Sequence, residues 1–131
     1  MPFCSPAPPI PRRRALIAAG TGLGEALLLP GGDAPLVVPT EGGHADFAPG
    51  GETEAALLRH LAQRHGHVSW ERVVSGPGLA SLYGFLLDTG RAAPCDRVRR
   101  RLETEDPAAV VADEGLSGAD AGCAAAIGLF V

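Results

Sequence analysis

The sequence predicts an α/β chain in which a short meander of strands is followed by helices. Three observations carry that expectation. Between Ala15 and Val38 the apolar residues come in short runs separated by glycine-rich connections. From Glu52 onward they recur at helical spacing. The strands come first and the helices after, an order suited to part of a larger α/β domain.

Met1 to Pro11 is rich in proline and has no hydrophobic period, so it reads as extended or disordered. Ala15 to Ala19 is wholly apolar and short, as a buried strand would be. Gly20, Gly22 and Gly24 punctuate it, and a second apolar run follows from Glu25 to Leu29. Gly31, Gly32 and Asp33 make a turn into a third strand at Leu36 to Val38. Thr40 to Gly51 is a polar, glycine-containing loop.

The first helix is expected over Glu52 to His65. Leu58, Leu61, Ala62 and His65 share a stripe, Glu52 and Glu54 suit the positive end of the helix dipole, and Gly66 stops it. A second helix starts near Pro77, carries Leu79, Leu82, Tyr83, Leu86 and Leu87 at i, i+3, i+4, i+7 and i+8, and ends at Gly90. Asp106 and Pro107 form an N-cap and first-turn pair for a third helix reaching about Glu114. The last begins near Asp120 and runs into Leu129-Phe130-Val131 without a cap or a polar finish, an ending expected of a truncated chain. No internal repeat is present.

Composition narrows the function. The chain has 131 residues, 46% of them hydrophobic and 20% charged, enough for one compact domain. A net charge of −4 and few aromatic residues offer nothing to nucleic acid or to an anionic membrane. The three cysteines (Cys4, Cys95 and Cys123) lack a C-x-x-C spacing, so neither a zinc site nor a disulfide framework is expected, and a reducing cytoplasm suits them. Arg12-Arg13-Arg14 before an apolar run leaves a twin-arginine address as a minor alternative; the glycines and Glu25 interrupt that run before it reaches membrane length. All eleven basic Lys/Arg positions are arginine, and there is no asparagine. The missing lysine removes Schiff-base chemistry and a P-loop of the G-K-[ST] type.

Three segments are candidates for chemistry. Gly20-Thr21-Gly22-Leu23-Gly24 reads either as a tight hairpin or as a turn whose backbone N–H groups and Thr21 hydroxyl contact phosphate. Glu41 and His44 flank two glycines and can converge on a small polar ligand, or stand idle in a solvated loop. Glu71-Arg72, just before Val73-Val74, is either an exposed ion pair or brings a second carboxylate to a polyhydroxylated ligand. His60 and His65 read as surface or half-buried packing residues, and His67 suits the end of the first helix. Arg97, Arg99, Arg100 and Arg101, followed closely by Glu103, Glu105 and Asp106, read as a solvated face.

In this order the strings A-G-T-G-L-G-E-A (Ala19 to Ala26), E-G-G-H-A-D-F-A-P (Glu41 to Pro49) and G-H-V-S-W-E-R-V-V-S-G-P-G-L (Gly66 to Leu79) resemble the bacterial glucokinase family. The resemblance is strong over Ala15 to Asp88 and continues weakly to Val131. It implies a ribonuclease-H-like, actin-like ATPase fold of two lobes with a cleft that takes glucose, whose 6-hydroxyl receives the γ-phosphoryl of ATP with Mg2+. Carried over, it implies that Glu41, His44 and Glu71 bind the glucose hydroxyls and that Gly20, Thr21, Gly22 and Gly24 face phosphate. No protein-bound metal is implied, and the related group with a zinc-binding cysteine cluster does not fit. A homodimer is a possible partner state of the full-length enzyme.

The sequence also departs from the family. The proton-accepting aspartate lies there in an Asn-Asp pair, which a chain without asparagine cannot hold. The amino-terminal Asp-x-Gly-Gly-Thr-Asn motif and the later Gly-Gly motif facing adenosine are missing too. Asp46 and Asp88 are the nearest substitutes for the base, with no argument for either. Residues 1–14 are accordingly expected to be a disordered or non-native start, and 15–131 a partial glucokinase domain truncated at both ends. No residue of the chain is expected to act as the catalytic base, so the polypeptide alone is expected to lack turnover. The alternatives are a non-catalytic sugar-binding module and a non-functional gene fragment.

Overall fold

The computed structural model describes residues 13–32 and 34–131. The expectations for Met1 to Arg12, including Cys4 and the proline-rich start, lie outside the described residues, as does Asp33 of the turn before the third strand.

Three strands form an antiparallel sheet in chain order: β1 (Arg14–Ala19), β2 (Leu23–Leu29) and β3 (Leu36–Thr40). The β1–β2 register runs from Arg14 opposite Leu28 to Ala19 opposite Leu23, so Gly20, Thr21 and Gly22 form the hairpin tip. Gly24 is not part of that tip. It lies within β2, opposite Ala18, and the second strand begins two residues before the expected Glu25. β2 then pairs with β3 from Glu25 opposite Thr40 to Leu29 opposite Leu36.

The helices follow as α1 (Glu52–His65), α2 (Trp70–Val73), α3 (Gly76–Asp88), α4 (Asp96–Leu102), α5 (Pro107–Leu116) and α6 (Ala121–Phe130). Three of them start as their capping residues dictate. Ser75 Oγ accepts from the Gly78 N–H at 3.1 Å, Asp106 from that of Ala109 at 2.9 Å and Asp120 from that of Cys123 at 2.7 Å, each satisfying one orphan amide.

The core is helical. Phe85, Leu82, Leu57, Leu61, Val110 and Val111 are fully or almost fully buried, and no residue of β1–β3 belongs to this core. α3 lies at its centre, packed against α1, α5 and α6. That position buries Phe85 as well as the stripe of Leu79, Leu82, Tyr83 and Leu86. On α1 the inward pair is Leu57 and Leu61, with Leu58 and Ala62 beside them, whereas His65 of the expected stripe is exposed.

Two expectations are corrected here. β1 forms but is not buried: every residue of it is exposed, Leu16 at 55% and Ile17 at 68%. As the outer strand of a sheet apart from the helical core, it gains pairing without cover. The arginine run is a solvated face only in part: Arg97, Arg99 and Arg100 are exposed, but the run also has a structural side. It winds into α4, where Val98 is buried and Leu102, one turn on, packs against the core. Arg97 and Arg101 both bind the buried carboxylate of Glu114 on α5, and Arg101 also reaches Asp113 and Glu105. These charge-assisted bonds hold the Arg101 guanidinium well above its ordinary pKa and the Glu105 carboxyl below its own.

Candidate functional site: a carboxylate–imidazole cluster beside the glycine hairpin

Thr40 leads out of β3 into Glu41, and Gly42–His44 closes a single 3-10 turn in which the His44 N–H donates to the Glu41 carbonyl at 3.0 Å. Only glycine fits the middle of this turn. A Cβ on Gly43 would lie 2.5 Å from the Leu23 carbonyl oxygen, a backbone atom that cannot step aside. The turn is thereby seated on the start of β2.

The chain leaving the turn then pairs with the segment entering α2. Asp46 and Ser69 form an antiparallel bridge, the Phe47 N–H donates to the Val68 carbonyl at 2.9 Å, and the Trp70 N–H donates to that of Ala45 at 3.0 Å. Phe47 and Trp70 stack edge to face with centroids 5.0 Å apart, and the imidazole of His67 lies 2.6 Å from the Asp46 carboxylate. His67 therefore binds across the bridge. It does not cap α1, whose terminal bond to the Ala62 carbonyl comes from the Gly66 N–H.

This pairing brings Glu71, in the first turn of α2, to the 3-10 turn. Glu41, His44 and Glu71 are gathered in one cluster: His44 Nε2 lies 3.5 Å from Glu41 Oε2, and His44 Nδ1 lies 4.0 Å from Glu71 Oε1. Both separations exceed hydrogen-bond length, so the facing lone pairs and ring N–H are not spent on one another. The cluster is open to solvent at Glu41 and His44, while the Glu71 side chain is two-thirds covered, with 32% of its surface exposed.

Glu71 is also the link to the glycine hairpin. Its Oε2 accepts the Leu23 N–H at 3.0 Å, and a Cβ on Gly22 would stand 2.6 Å from that same oxygen. The hairpin tip is tied from the other side by the Gly76 N–H, which donates to the Gly20 carbonyl at 2.7 Å. Within the tip the Gly20 N–H is committed to the Gly22 carbonyl, leaving the N–H groups of Thr21 and Gly22 and the Thr21 hydroxyl without a partner among the described residues. The tight hairpin and the group of free donors are thus the same object. Beside it opens a mainly apolar cleft of about 730 Å³, lined by Gly20, Thr21, Pro77, Leu79, Ala112 and Phe130, among others.

The glucokinase family model matches residues 2–131. The chain belongs to the glucokinase family. It is 38% identical over 130 residues to the glucokinase of a Nostoc species, covering 89% of this chain and 38% of that protein. With an Escherichia coli glucokinase it shares 39% identity over 116 residues, 88% of this chain and 33% of the relative. Among solved structures, the glucokinase of an Antarctic psychrotroph superposes with a TM-score of 0.67 at 32% identity, covering 90% of this chain and 34% of that one. The glucokinase of Balamuthia mandrillaris, solved in complex with glucose, superposes with a TM-score of 0.72 at 27% identity, covering 92% and 33%. The chain spans about a third of the length of the glucokinases it matches. These likenesses bear out the family resemblance and the α/β fold.

Of the residues expected from the sequence, Glu41, His44 and Glu71 meet, Gly20, Thr21 and Gly22 form the tip beside them, and Gly24 stands in the strand behind. Asp88 is bound to Arg64 at 2.8 Å and lies 3.6 Å from His60, which packs half-buried against Phe85. Asp46 is taken by His67. The Leu23 N–H and the Asp46–His67 pair were not foreseen as parts of the site. A β-bridge across two loops leaves no periodic mark in the sequence.

Proposed function

We propose that the chain carries the glucose-recognition face of an ATP-dependent glucose kinase, which makes glucose 6-phosphate. Its role in the cell is then entry of glucose into glycolysis, in the cytoplasm. What supports the reading is the gathering of two carboxylates around one imidazole, with the Glu41 carboxylate and Glu71 Oε1 not hydrogen-bonded to the ring they face. Charged acceptors bind sugar hydroxyls more strongly than neutral ones do, and an imidazole can donate to one hydroxyl and accept from another. A sugar lacking a hydroxyl would leave one of these groups unpaired, so the cluster selects by penalty.

In this reading Glu71 holds the best-fixed hydroxyl contact, Glu41 and His44 close over the sugar, and the free donors of the hairpin tip face the phosphates of ATP. The nucleotide approaches along the cleft beside that tip. Mg2+ enters in this reading as the companion of ATP. Phosphoryl transfer rests mainly on positioning and charge stabilisation, with a carboxylate taking the hydroxyl proton. Asp46 is hydrogen-bonded to His67, and Asp88 is ion-paired with Arg64. The 131-residue chain as it stands accordingly binds glucose without turning it over.

The test has two parts. Glucose should raise the melting temperature of the chain through mass action, and Glu71→Ala, which also lowers the sugar-free melting temperature by losing the Leu23 N–H bond, should remove that glucose-dependent shift. A coupled assay of glucose 6-phosphate formation should read background. Stabilisation that survives Glu71→Ala would discard the sugar site, and robust turnover would discard the statement that the chain lacks a base.

A further inference from the structure

Glu25 stands beside the sugar cluster, and the proposed glucose contacts do not use it. It lies in β2 opposite Thr40, the last residue of β3, and its half-buried side chain reaches the 3-10 turn that follows that strand. A Cβ on Gly42 would overlap Glu25 Oε2 and lie 2.8 Å from its Cδ and 3.3 Å from its Oε1. The carboxylate therefore lies flush against the backbone of Gly42, the residue that follows Glu41.

Thr40 extends this contact. Its hydroxyl points a donor at Glu25 Oε2 over 3.5 Å and takes the Gly42 N–H at 3.4 Å. At these lengths both are weak, and a small descent of the turn closes them into ordinary bonds. A carboxylate on the sheet, a hydroxyl at its edge and the first amide of the turn thus stand in line. The rest of the turn is held elsewhere. Gly43 rests on the Leu23 carbonyl, and the Ala45 carbonyl accepts the Trp70 N–H, which fixes the middle and the exit. Neither contact reaches the entrance, where Glu41 leaves β3 with its side chain 90% exposed. Glu25 and Thr40 do.

We propose that Glu25 and Thr40 are positioning residues for the sugar site, holding the entrance of the 3-10 turn so that Glu41 and His44 face Glu71. This role rests on the proposed glucose site, whereas the support of the turn can be read without sugar. It calls for shape and an acceptor more than for charge. A glutamine in place of Glu25 keeps the length and offers a carbonyl oxygen to the Thr40 hydroxyl, and a serine in place of Thr40 keeps the hydroxyl. Alanine and valine at these positions keep neither function.

The experiment compares wild type with Glu25→Ala, Glu25→Gln, Thr40→Val and Thr40→Ser, each checked by thermal melting. In the sugar-free chain, amide hydrogen exchange is followed at His44 and Ala45, whose N–H groups donate to the Glu41 and Gly42 carbonyls within the turn. Glu25→Ala and Thr40→Val should speed that exchange about threefold relative to the amides of α3, and should weaken glucose binding about fivefold by calorimetry. Glu25→Gln and Thr40→Ser should stay near wild type in both. Analogues of glucose lacking one hydroxyl add a reading that a loss of stability alone does not move. The penalty for a missing hydroxyl should shrink in Glu25→Ala for the same analogues as in Glu41→Ala and His44→Ala, and should persist for the analogue to which Glu71→Ala is indifferent. Faster turn exchange in Glu25→Ala and Thr40→Val, with no glucose binding by wild type, supports the hold on the turn and overturns the sugar site. Three results overturn the positioning role: wild-type exchange and affinity in Glu25→Ala and Thr40→Val, equal losses in Glu25→Gln and Thr40→Ser, or a penalty that shrinks for every hydroxyl alike.

Discussion

Gly22→Ala separates the site from the fold. The backbone at Gly22 is not in the left-handed region, so alanine meets no strain there. What it meets is Glu71, whose Oε2 would lie 2.6 Å and whose Cδ would lie 3.3 Å from the new Cβ. The carboxylate is the far end of a flexible side chain and can swing away, so the fold survives. It cannot do so while keeping the 3.0 Å bond from the Leu23 N–H. A hydrogen bond to a charged group is worth about 1.5–3 kcal/mol, and partial exposure of Glu71 places this one near the lower end. Losing the equivalent bond to a sugar hydroxyl should weaken glucose binding about tenfold, and up to a hundredfold if both oxygens move. Neighbouring glycines supply the controls. A Cβ on Gly20 meets nothing within 4 Å, and one on Gly24 only the Ala18 carbonyl at 3.8 Å. Calorimetric glucose titration of the three alanine variants, each checked by thermal melting, should single out Gly22→Ala. The reasoning is refuted if Gly22→Ala binds glucose like wild type, or if Gly24→Ala loses as much affinity.

Other expectations concern stability. Glu114→Ala strips the buried carboxylate from Arg97 and Arg101; with Arg97 half exposed the loss should be about 2 kcal/mol, seen as a lower urea midpoint, and an unmoved midpoint would count against the network. Burial, with Asp120 nearby, raises the Cys123 thiol from 9.0 to about 12, and burial raises Tyr83 from 10.0 to about 12. Their stabilising effect is whole below pH 9, where the unfolded thiol still keeps its proton, and is lost as pH rises toward 12. Cys123→Ala should flatten that alkaline decline by up to about 1.4 kcal/mol per pH unit between roughly pH 10 and the folded value, measured by denaturant titrations across pH. Burial pushes the Asp120 carboxyl up, but bonds from the Cys123 N–H and from the Cys123 and Cys95 thiols outweigh it and hold its pKa below the usual value. Its contribution is therefore present at neutral pH and lost as pH falls through the depressed value, and Asp120→Asn should show a shallower acid transition by circular dichroism.

The helices were the most legible part of the fold, because their signals are local. Asp106 and Asp120 each cap a helix within three residues, Pro77 marks the first turn of α3, and the spacing from Leu79 to Leu86 names its buried face. α4 was hidden by its own charge. In a run of four arginines within five positions, the single i, i+4 pair of Val98 and Leu102 is a faint stripe, although arginine is itself a good helix former. The partner that makes the run structural, Glu114, lies 13 residues beyond Arg101. Burial of β1 was misjudged for another reason. An apolar strand records that cover is wanted, but not where the cover comes from, and here the core forms among the helices.

The site was legible as residue types but not as a place. Glu41 and His44 can be paired from the sequence because two glycines and a 3-10 turn lie between them. Nothing local joins them to Glu71. That joining depends on the Asp46–Ser69 bridge, whose two ladder bonds are backbone to backbone, and on the one-turn helix α2, too short to leave a period. The glycine hairpin then fixes the depth of Glu71 through the Leu23 N–H. Hence the strict demands on this site fall less on the charged residues than on two glycines beside them. Gly43 lets the turn lie on the Leu23 carbonyl, and Gly22 leaves the space that the Glu71 carboxylate fills. A carboxylate held on one oxygen by a backbone N–H keeps its other oxygen in a fixed direction, and a fixed acceptor, unlike a merely charged one, can tell one sugar hydroxyl from its epimer.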